Sequence, residues 1–338
     1  MDMDAFIPFV KAVGRGEKLK RDLTYGESVD ALRLILQRRA TDAQIGAFLI
    51  AQRVKGEAVD EVRGFTDVVR NEFMTPVRAR VEGLVDLAVP YDGKAKTAQL
   101  APAIAILLAE AGIPVLLHGD VGVPTKEGVG PGLVLAALGV PTIFAPADVG
   151  KMIERAGVGY VGAAHYIPAW HNLLPIRRQF GLRTLLNTVE KLFNPGNAPY
   201  QVSGFFHANY IDRIRITQTG TRQSWIVQGE EGSIEMASGR RTHIFAVESH
   251  DDLILEPADV GLVERERVEV DADPEKHAAI NAAVLSGETG PALTQVLYTT
   301  ATLLHILGVA EQIEAGMTTV YRLIESGRAM QRLEKLRT

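Results

Sequence analysis

Between Lys151 and Arg222 the chain carries nine lysines and arginines against three acids, a local charge of +6. Two of them, Arg177 and Arg178, are adjacent. A guanidinium meets carboxylate or phosphate oxygens two at a time through its planar fork of donors, so this pair suits an oxyanion without defining which one. From Glu230 to Glu275 the balance reverses, with fourteen acids against four arginines. This asymmetry predicts a basic face able to hold a polyanion, with the acidic segment keeping the molecule soluble; the alternative is that both runs are solvated surface and the arginines close salt bridges. The formal net charge of -5 excludes a uniformly basic nucleic-acid binder. Thiolate chemistry is excluded too, because the sequence has no cysteine.

These groups have to be positioned by two kinds of element. Residues 5–73 read as helices only. Thr24 with Glu27, and Thr41 with Gln44, have the spacing of capping boxes at the start of apolar helical repeats, and Gly56 lies just past the second helix. A third amphipathic stretch runs from Val59 to about Phe73, and Pro76 ends the series. From Leu84 short apolar runs alternate with helical stretches. The expected strands are Val85–Val89, Val115–His118, Tyr160–Ala163, Tyr200–Phe206, Ser224–Gln228 and Thr242–Val247. The expected helices are Pro102–Ala111, Gly130–Leu138, Asn281–Ser286, Ala292–Leu307 and Thr319–Ser326. Such alternation implies an α/β fold: a small N-terminal helical domain plus a larger α/β domain with a mainly parallel central sheet. Pro168 to Asn194 is helical again and is expected to pack back on the N-terminal helices. One domain would then comprise 1–78 with 168–194, and the other 79–167 with 195–338. No apolar run reaches the roughly 18 residues of a membrane span, and the acidic N-terminus is unlike a secretory signal, so the expected location is the cytoplasm.

Several motifs resemble one family in order along almost the whole chain. They are Asp42-Ala43-Gln44-Ile45-Gly46-Ala47-Phe48-Leu49, Lys55-Gly56-Glu57, Leu117-His118-Gly119, Gly128, Ala136-Ala137-Leu138-Gly139, Arg177 to Thr184 leading to Asn187, and Asn194-Pro195 followed by Ala198-Pro199-Tyr200-Gln201. The family is that of the anthranilate phosphoribosyltransferases, the class III phosphoribosyltransferase fold. The resemblance implies a homodimer formed through the helical domain, and an arginine on the Arg177–Arg178 helix that pairs with the acceptor's carboxylate.

The departures from the family's pattern carry equal weight. Its Gly-Thr-Gly-Gly-Asp loop, which lets backbone N–H groups approach a pyrophosphate, is matched by Val89-Pro90-Tyr91-Asp92-Gly93. Pro90 removes a donor, and Tyr91 is expected to add bulk where phosphate should sit. Its Asn-x-Ser-Thr becomes Gln99-Leu100-Ala101-Pro102, losing both hydroxyls. Its Lys-His-Gly-Asn and following Ser pair become Leu117-His118-Gly119-Asp120 and Pro124-Thr125, beside Lys126, so that Asp120 is expected to repel an anion. The metal-holding acid pair is reduced to Glu235, because Ile234 stands at its first position; Glu230 and Glu231 read as exposed turn acids.

A second branch of the family has lost its transfer motifs and binds nucleic acid through a basic groove. The chain resembles that branch in Tyr91-Asp92-Gly93-Lys94 and in Asn187-Thr188-Val189-Glu190-Lys191-Leu192. The leading expectation is therefore a homodimer that binds nucleic acid without sequence specificity. Arg177, Arg178, Arg183, Lys191, Lys94 and Lys96 would contact phosphates, no cofactor would be needed, and Tyr91, Asp92, Gly93, His118, Gly119, Asp120, Thr125 and Lys126 would line a decayed pocket. The alternative is a phosphoribosyltransferase that moves phosphoribose from phosphoribosyl pyrophosphate to anthranilate or another nitrogen nucleophile, with Mg2+. A third possibility is a pyrophosphorylase-like relative using His118, Lys126 and Glu235, unless His118 is simply a hydrogen-bonded strand-end histidine.

Overall fold

The computed structural model describes residues 3–205, 211–217, 220–262 and 267–338. Helices α1 (Ile7–Gly14), α2 (Tyr25–Leu36), α3 (Asp42–Lys55) and α4 (Val59–Val68) form the N-terminal bundle, and a single π turn, Val69–Phe73, extends α4. Both expected capping boxes form: Thr24 caps the Glu27 N–H while Glu27 returns to Thr24 N, and Thr41 and Gln44 do the same. Gly56 closes α3 at φ 86°, where a residue with a Cβ is strained. The apolar stripes meet in a core that includes the rings of Phe6, Phe48 and Phe65, all fully buried.

The sheet has seven strands: β1 (Val85–Ala88), β2 (Val115–Gly119), β3 (Val158–Gly162), β4 (Tyr200–Gly204), β5 (Gln223–Val227), β6 (Thr242–Ala246) and β7 (Leu253–Leu255). Their order is β3-β2-β1-β4-β5-β6-β7. β1 to β5 are parallel, with Val85 opposite both Val115 and Tyr200, and the last two strands run antiparallel. Parallel neighbours need a crossover, and α5 (Ala101–Glu110), built almost wholly of buried Ala, Ile and Leu, carries the chain from β1 to β2. Helices α6 (Pro131–Ala137) and α7 (Pro146–Ala156) lead to β3.

Four short helices follow: α8 (Ala163–Tyr166), α9 (Pro168–His171), α10 (Leu174–Phe180) and α11 (Leu185–Val189). α10 packs on α3, and α11 packs on α3 and α4. Trp170, Leu186 and Phe193 share one core with Phe48 and Phe65. Arg53 donates to Arg183 O at 2.5 Å, and Arg70 to Phe193 O at 3.1 Å, fastening this segment to the N-terminal helices. After β4 comes α12 (Ile211–Thr217), and the chain closes with α13 (Pro274–Ser286), α14 (Pro291–Ile306), α15 (Ile313–Glu325) and α16 (Arg328–Arg337).

The expected strands are present to within two residues at either end, except that β4 ends at Gly204 and Phe206 lies outside the described residues. The sequence reading passed over α7, α8, α12, β7 and α16. In α7 the helical pattern is broken by Gly150, where a Cβ would sit 1.9 Å from Arg78 O, so glycine is required by the close approach of another segment. In α16 a charged run hides only three buried residues, Ala329, Leu333 and Leu336. Among the described residues no helix is long and apolar enough to cross a membrane.

Candidate functional site

The strand order reverses direction between β1 and β4, and a parallel sheet leaves a crevice beyond its carboxyl ends at such a point. A cavity of about 430 Å3 lies there. Pro90 and Asp92 after β1, Phe205 after β4 and Glu231 after β5 contribute to its lining. Arg53 and Glu57 come from the α3 end, and Arg183, Asn187, Thr188 and Lys191 from the helical segment packed on α3. The cavity is thus built by both layers of the molecule.

The loop after β1 does not run as its residue types suggest. Tyr91 turns inward and is 2% exposed. Its hydroxyl lies 2.5 Å from His118 Nδ1 and is hydrogen-bonded to the Tyr166 hydroxyl. His118 Nε2 lies 3.1 Å from Asp86 Oδ1, and Gln201 donates to Asp86 Oδ2 at 2.6 Å. Because the carboxylate only accepts, the network assigns the histidine proton to Nε2 and leaves Nδ1 to accept from Tyr91. A polar ladder thus joins β1, β2 and β4. Burial first, and then the neighbouring Tyr166 and carboxylates, push the Tyr91 pKa up, which keeps it a donor. The ring is buried and is not among the residues that line the cavity.

Asp120 is held by donors of the chain itself. Its carboxylate is 8% exposed, lies 2.9 Å from His171 Nδ1 and accepts from Val121 N at 2.8 Å. Asp92 is held in the same way by Arg183, whose Nε and Nη2 donate at 2.8 and 2.6 Å. Gly93, at φ 68°, packs against Gly128 so closely that a Cβ on it would sit 2.5 Å from that residue's carbonyl carbon. Asp92 O accepts from Gly128 N at 2.9 Å, and Lys94 exchanges two backbone hydrogen bonds with Val129. Gly119, fully within β2, only carries the chain to this loop.

Glu231 is not an exposed turn acid. Its carboxylate accepts from three consecutive N–H groups, Ala95 at 3.2 Å, Lys96 at 3.0 Å and Thr97 at 2.9 Å, and from the Thr97 hydroxyl at 3.0 Å. Lys126 Nζ lies 3.2 Å from Glu231 Oε2 and donates to Gly93 O at 2.9 Å. Burial raises the Glu231 pKa, but Lys126 and the N–H donors outweigh it and hold it at about 2. Lys126 is lowered, chiefly by burial. Lys191 donates to Gly204 O at 2.7 Å and sits 3.3 Å from the centre of the Phe205 ring; burial brings its pKa down to about 7.

The six cations expected to contact a nucleic acid do not form a groove. Lys94 is 0% exposed with Nζ 3.4 Å from Glu235 Oε1, Arg177 is 2% exposed against Glu190, and Lys191 is 7% exposed. Arg183 is engaged by Asp92, and Arg178 by Glu127 and Gly122 O. Lys96 alone of the six is exposed without a carboxylate partner among the described residues, and a polymer needs a continuous cationic track. Arg177 and Arg178 do not line the cavity, whereas Arg53, which the sequence reading missed, does. Nor do His118, Lys126 and Glu235 converge: His118 serves Asp86 and Tyr91, Lys126 serves Gly93 and Glu231, and Glu235 serves Lys94 and Leu100 N. Thr125 is exposed beside Lys126, in a shallow depression shared with Arg53 and Arg183.

Comparison with known proteins agrees with this geometry. The family described as "Glycosyl transferase family, helical bundle domain" matches residues 7–72, and "Glycosyl transferase family, a/b domain" matches residues 92–330. Anthranilate phosphoribosyltransferase of Anaeromyxobacter sp. (strain K) is 33% identical over 320 residues, covering 93% of this chain and 94% of its own. That of Chelativorans sp. (strain BNC1) is 32% identical over 319 residues, with 93% of each covered. Among solved structures, the Thermus thermophilus enzyme superposes with a TM-score of 0.84 at 25% identity, over 99% of this chain and 100% of its own. The Saccharomyces cerevisiae enzyme in complex with PRPP and Mg has the same fold, with a TM-score of 0.85 at 20% identity over 98% and 97%. These relatives overturn the expected nucleic-acid function and partner, since they are substrate-binding transferases. They likewise overturn the expected absence of a cofactor, since one of them is solved with Mg. With both of its halves matched in order, the chain belongs to the glycosyl transferase family of the anthranilate phosphoribosyltransferases.

Proposed function

We propose that the chain is a phosphoribosyltransferase that moves phosphoribose from phosphoribosyl pyrophosphate to anthranilate or another nitrogen nucleophile. The observation that carries this reading is the cavity at the β1/β4 switch point, where Arg53, Arg183 and Lys191 line one cleft with the carboxylates Glu57, Asp92 and Glu231. The 95–97 N–H groups and Lys126 converge on Glu231, a residue of the cavity wall.

In this reaction the bond between the ribosyl anomeric carbon and the pyrophosphate oxygen breaks, and a carbon–nitrogen bond forms. Charge builds on the departing pyrophosphate, and preorganised cations and N–H groups stabilise it best because they need not reorient. Arg53, exposed on the cavity wall, suits that role. The attacking amine loses a proton, and Lys191, an amine with a pKa of about 7 on the cavity wall, is suited to accept it. The residues that would hold Mg2+, which takes one or two carboxylates and completes its shell with substrate phosphate and water, are the cavity acid Glu231 and buried Glu235, whose Oε2 is without a hydrogen-bond partner. Bound there, Mg2+ would neutralise part of the leaving group's charge.

We assign 1–78 with 168–194 to the helical unit and 79–167 with 195–338 to the α/β unit, a division supported by the packing of α10 and α11 on α3 and α4. A cysteine-free chain suits a reducing cytoplasm. The test is acceptor-dependent release of pyrophosphate from phosphoribosyl pyrophosphate with Mg2+. Release with anthranilate or a related aromatic amine is expected, and none with any such amine would sink the reading.

A further inference from the structure

We propose that Lys94 is a built-in cation at Glu235, against which a divalent ion must compete for that carboxylate, so that Lys94 sets how tightly the chain takes its metal. Both side chains are 0% exposed, with Lys94 Nζ 3.4 Å from Glu235 Oε1. Oε1 also accepts from Leu100 N at 2.9 Å, whereas Oε2 and the ammonium have no hydrogen-bond partner among the described residues. Ser233, two residues earlier, is fully buried and its hydroxyl is unpartnered in the same sense. A buried ammonium and carboxylate normally fill their remaining protons and lone pairs with hydrogen bonds, because desolvation otherwise outweighs their attraction. Here charge is balanced but coordination is not, and unfilled oxygens around a carboxylate are what a hard divalent cation takes. The position suits one as well. Glu231 and Gly232 line the cavity, and the segment from Ser233 to Glu235 follows them directly in the chain.

The ammonium is not free to leave with its loop. Lys94 exchanges two backbone hydrogen bonds with Val129, at 3.1 and 2.9 Å, and Gly93 packs on Gly128. Like charges a few ångströms apart repel strongly enough, at the effective dielectric of a protein, to weaken binding about tenfold or more. Lys94 therefore opposes a divalent ion at Glu235, and without an ion it spares that carboxylate an uncompensated buried charge. The inference deepens the transferase reading and rests on it for the identity of the ion, Mg2+. Its test uses Mn2+, which shares the preference for oxygen ligands, with neither phosphoribosyl pyrophosphate nor acceptor present. Metal competition and transfer then succeed or fail separately.

Titration followed by the electron paramagnetic resonance of free Mn2+ should give a Kd about tenfold lower in Lys94→Met than in wild type. Lys94→Gln, which keeps a polar group of similar length in the buried space, should show the same gain. Adding Glu235→Gln to Lys94→Met should abolish it, which ties the gain to that carboxylate. Thermal unfolding reads the same competition: a fixed Mn2+ concentration should raise the melting temperature of Lys94→Met more than that of wild type. A wild-type Kd in whichever lysine variant folds would overturn the proposal, and so would a gain that survives Glu235→Gln. Where a lysine variant unfolds without the ion, Mn2+ should restore its circular-dichroism spectrum. No recovery at any Mn2+ concentration would overturn it equally.

Discussion

Arg177 and Glu190 face each other through contacts of 2.8 and 3.4 Å, with side chains only 2% and 1% exposed. The chain thus supplies its own carboxylate to the arginine on the helix where the family resemblance placed the acceptor's partner, and Trp170 Nε1 adds a weak third contact at 3.4 Å.

Breaking this pair from one side should be costly. Arg177→Met leaves a buried carboxylate without its cation, and about 3–5 kcal/mol of stability should be lost. The double variant Arg177→Met/Glu190→Leu should recover most of it. Urea unfolding of both checks this; a single variant as stable as wild type would refute the pairing.

Arg53 should matter to ligand rather than to fold. It is exposed at the cavity, and its hydrogen bond goes to a backbone carbonyl, Arg183 O. Arg53→Ala should raise the KM for phosphoribosyl pyrophosphate about tenfold, the worth of one charge-assisted hydrogen bond, with little change in melting temperature. Steady-state kinetics beside thermal unfolding separates the two effects.

Lys191 should leave a signature in pH. Its folded pKa is about 7 against an ordinary value of 10.5, lowered by burial. Below about 7 the amine is charged in folded and unfolded chains alike, and the folded state bears the full cost of the buried charge. As pH rises from about 7 towards 10.5 the folded chain sheds the proton first, the unfolded chain holds more protons, and stability increases. Wild type should gain on Lys191→Met across this window in urea unfolding. Activity should climb through pH 7 in wild type and lose that limb in the variant.

Tyr91→Phe should act on stability alone. The hydroxyl bridges His118 and Tyr166 in a fully buried network, and its loss leaves His118 Nδ1 without a donor. About 1–3 kcal/mol should go. Because the ring is buried and does not line the cavity, the KM for the donor should stay as it is; a marked fall in KM would place the ring back in the cavity.

The fold was largely legible because local rules and burial agreed. Thr24 with Glu27 and Thr41 with Gln44 capped the helices their spacing announced, and short apolar runs between turns became the parallel strands. The site was legible only as an inventory of residue types. Pro90, Tyr91 and Asp120 read as obstacles because sequence gives a side chain's chemistry and not its direction. The structure buries Tyr91 against His118 and Tyr166 and sets Asp120 against His171. The basic segment misled for a related reason: charge counts ignore partners, and Glu190 and Asp92 neutralise the arginines that were counted as free. Arg53 carried no signal at all, since an arginine in the last turn of α3 is ordinary until the sheet's crevice is known to lie beside it.

The close approach of Gly93 to Gly128 ties the inheritance of two distant stretches together. Neither residue has room for a side chain, and the backbone ladder around them joins 92–94 to 128–129. A glycine-rich loop transplanted from a relative into positions 89–97 would arrive without its mate. Chimeras that exchange 89–97 and 120–130 as one cassette should fold where single-loop exchanges fail, so the two segments form one unit of substitution although a whole helix and strand separate them in the chain.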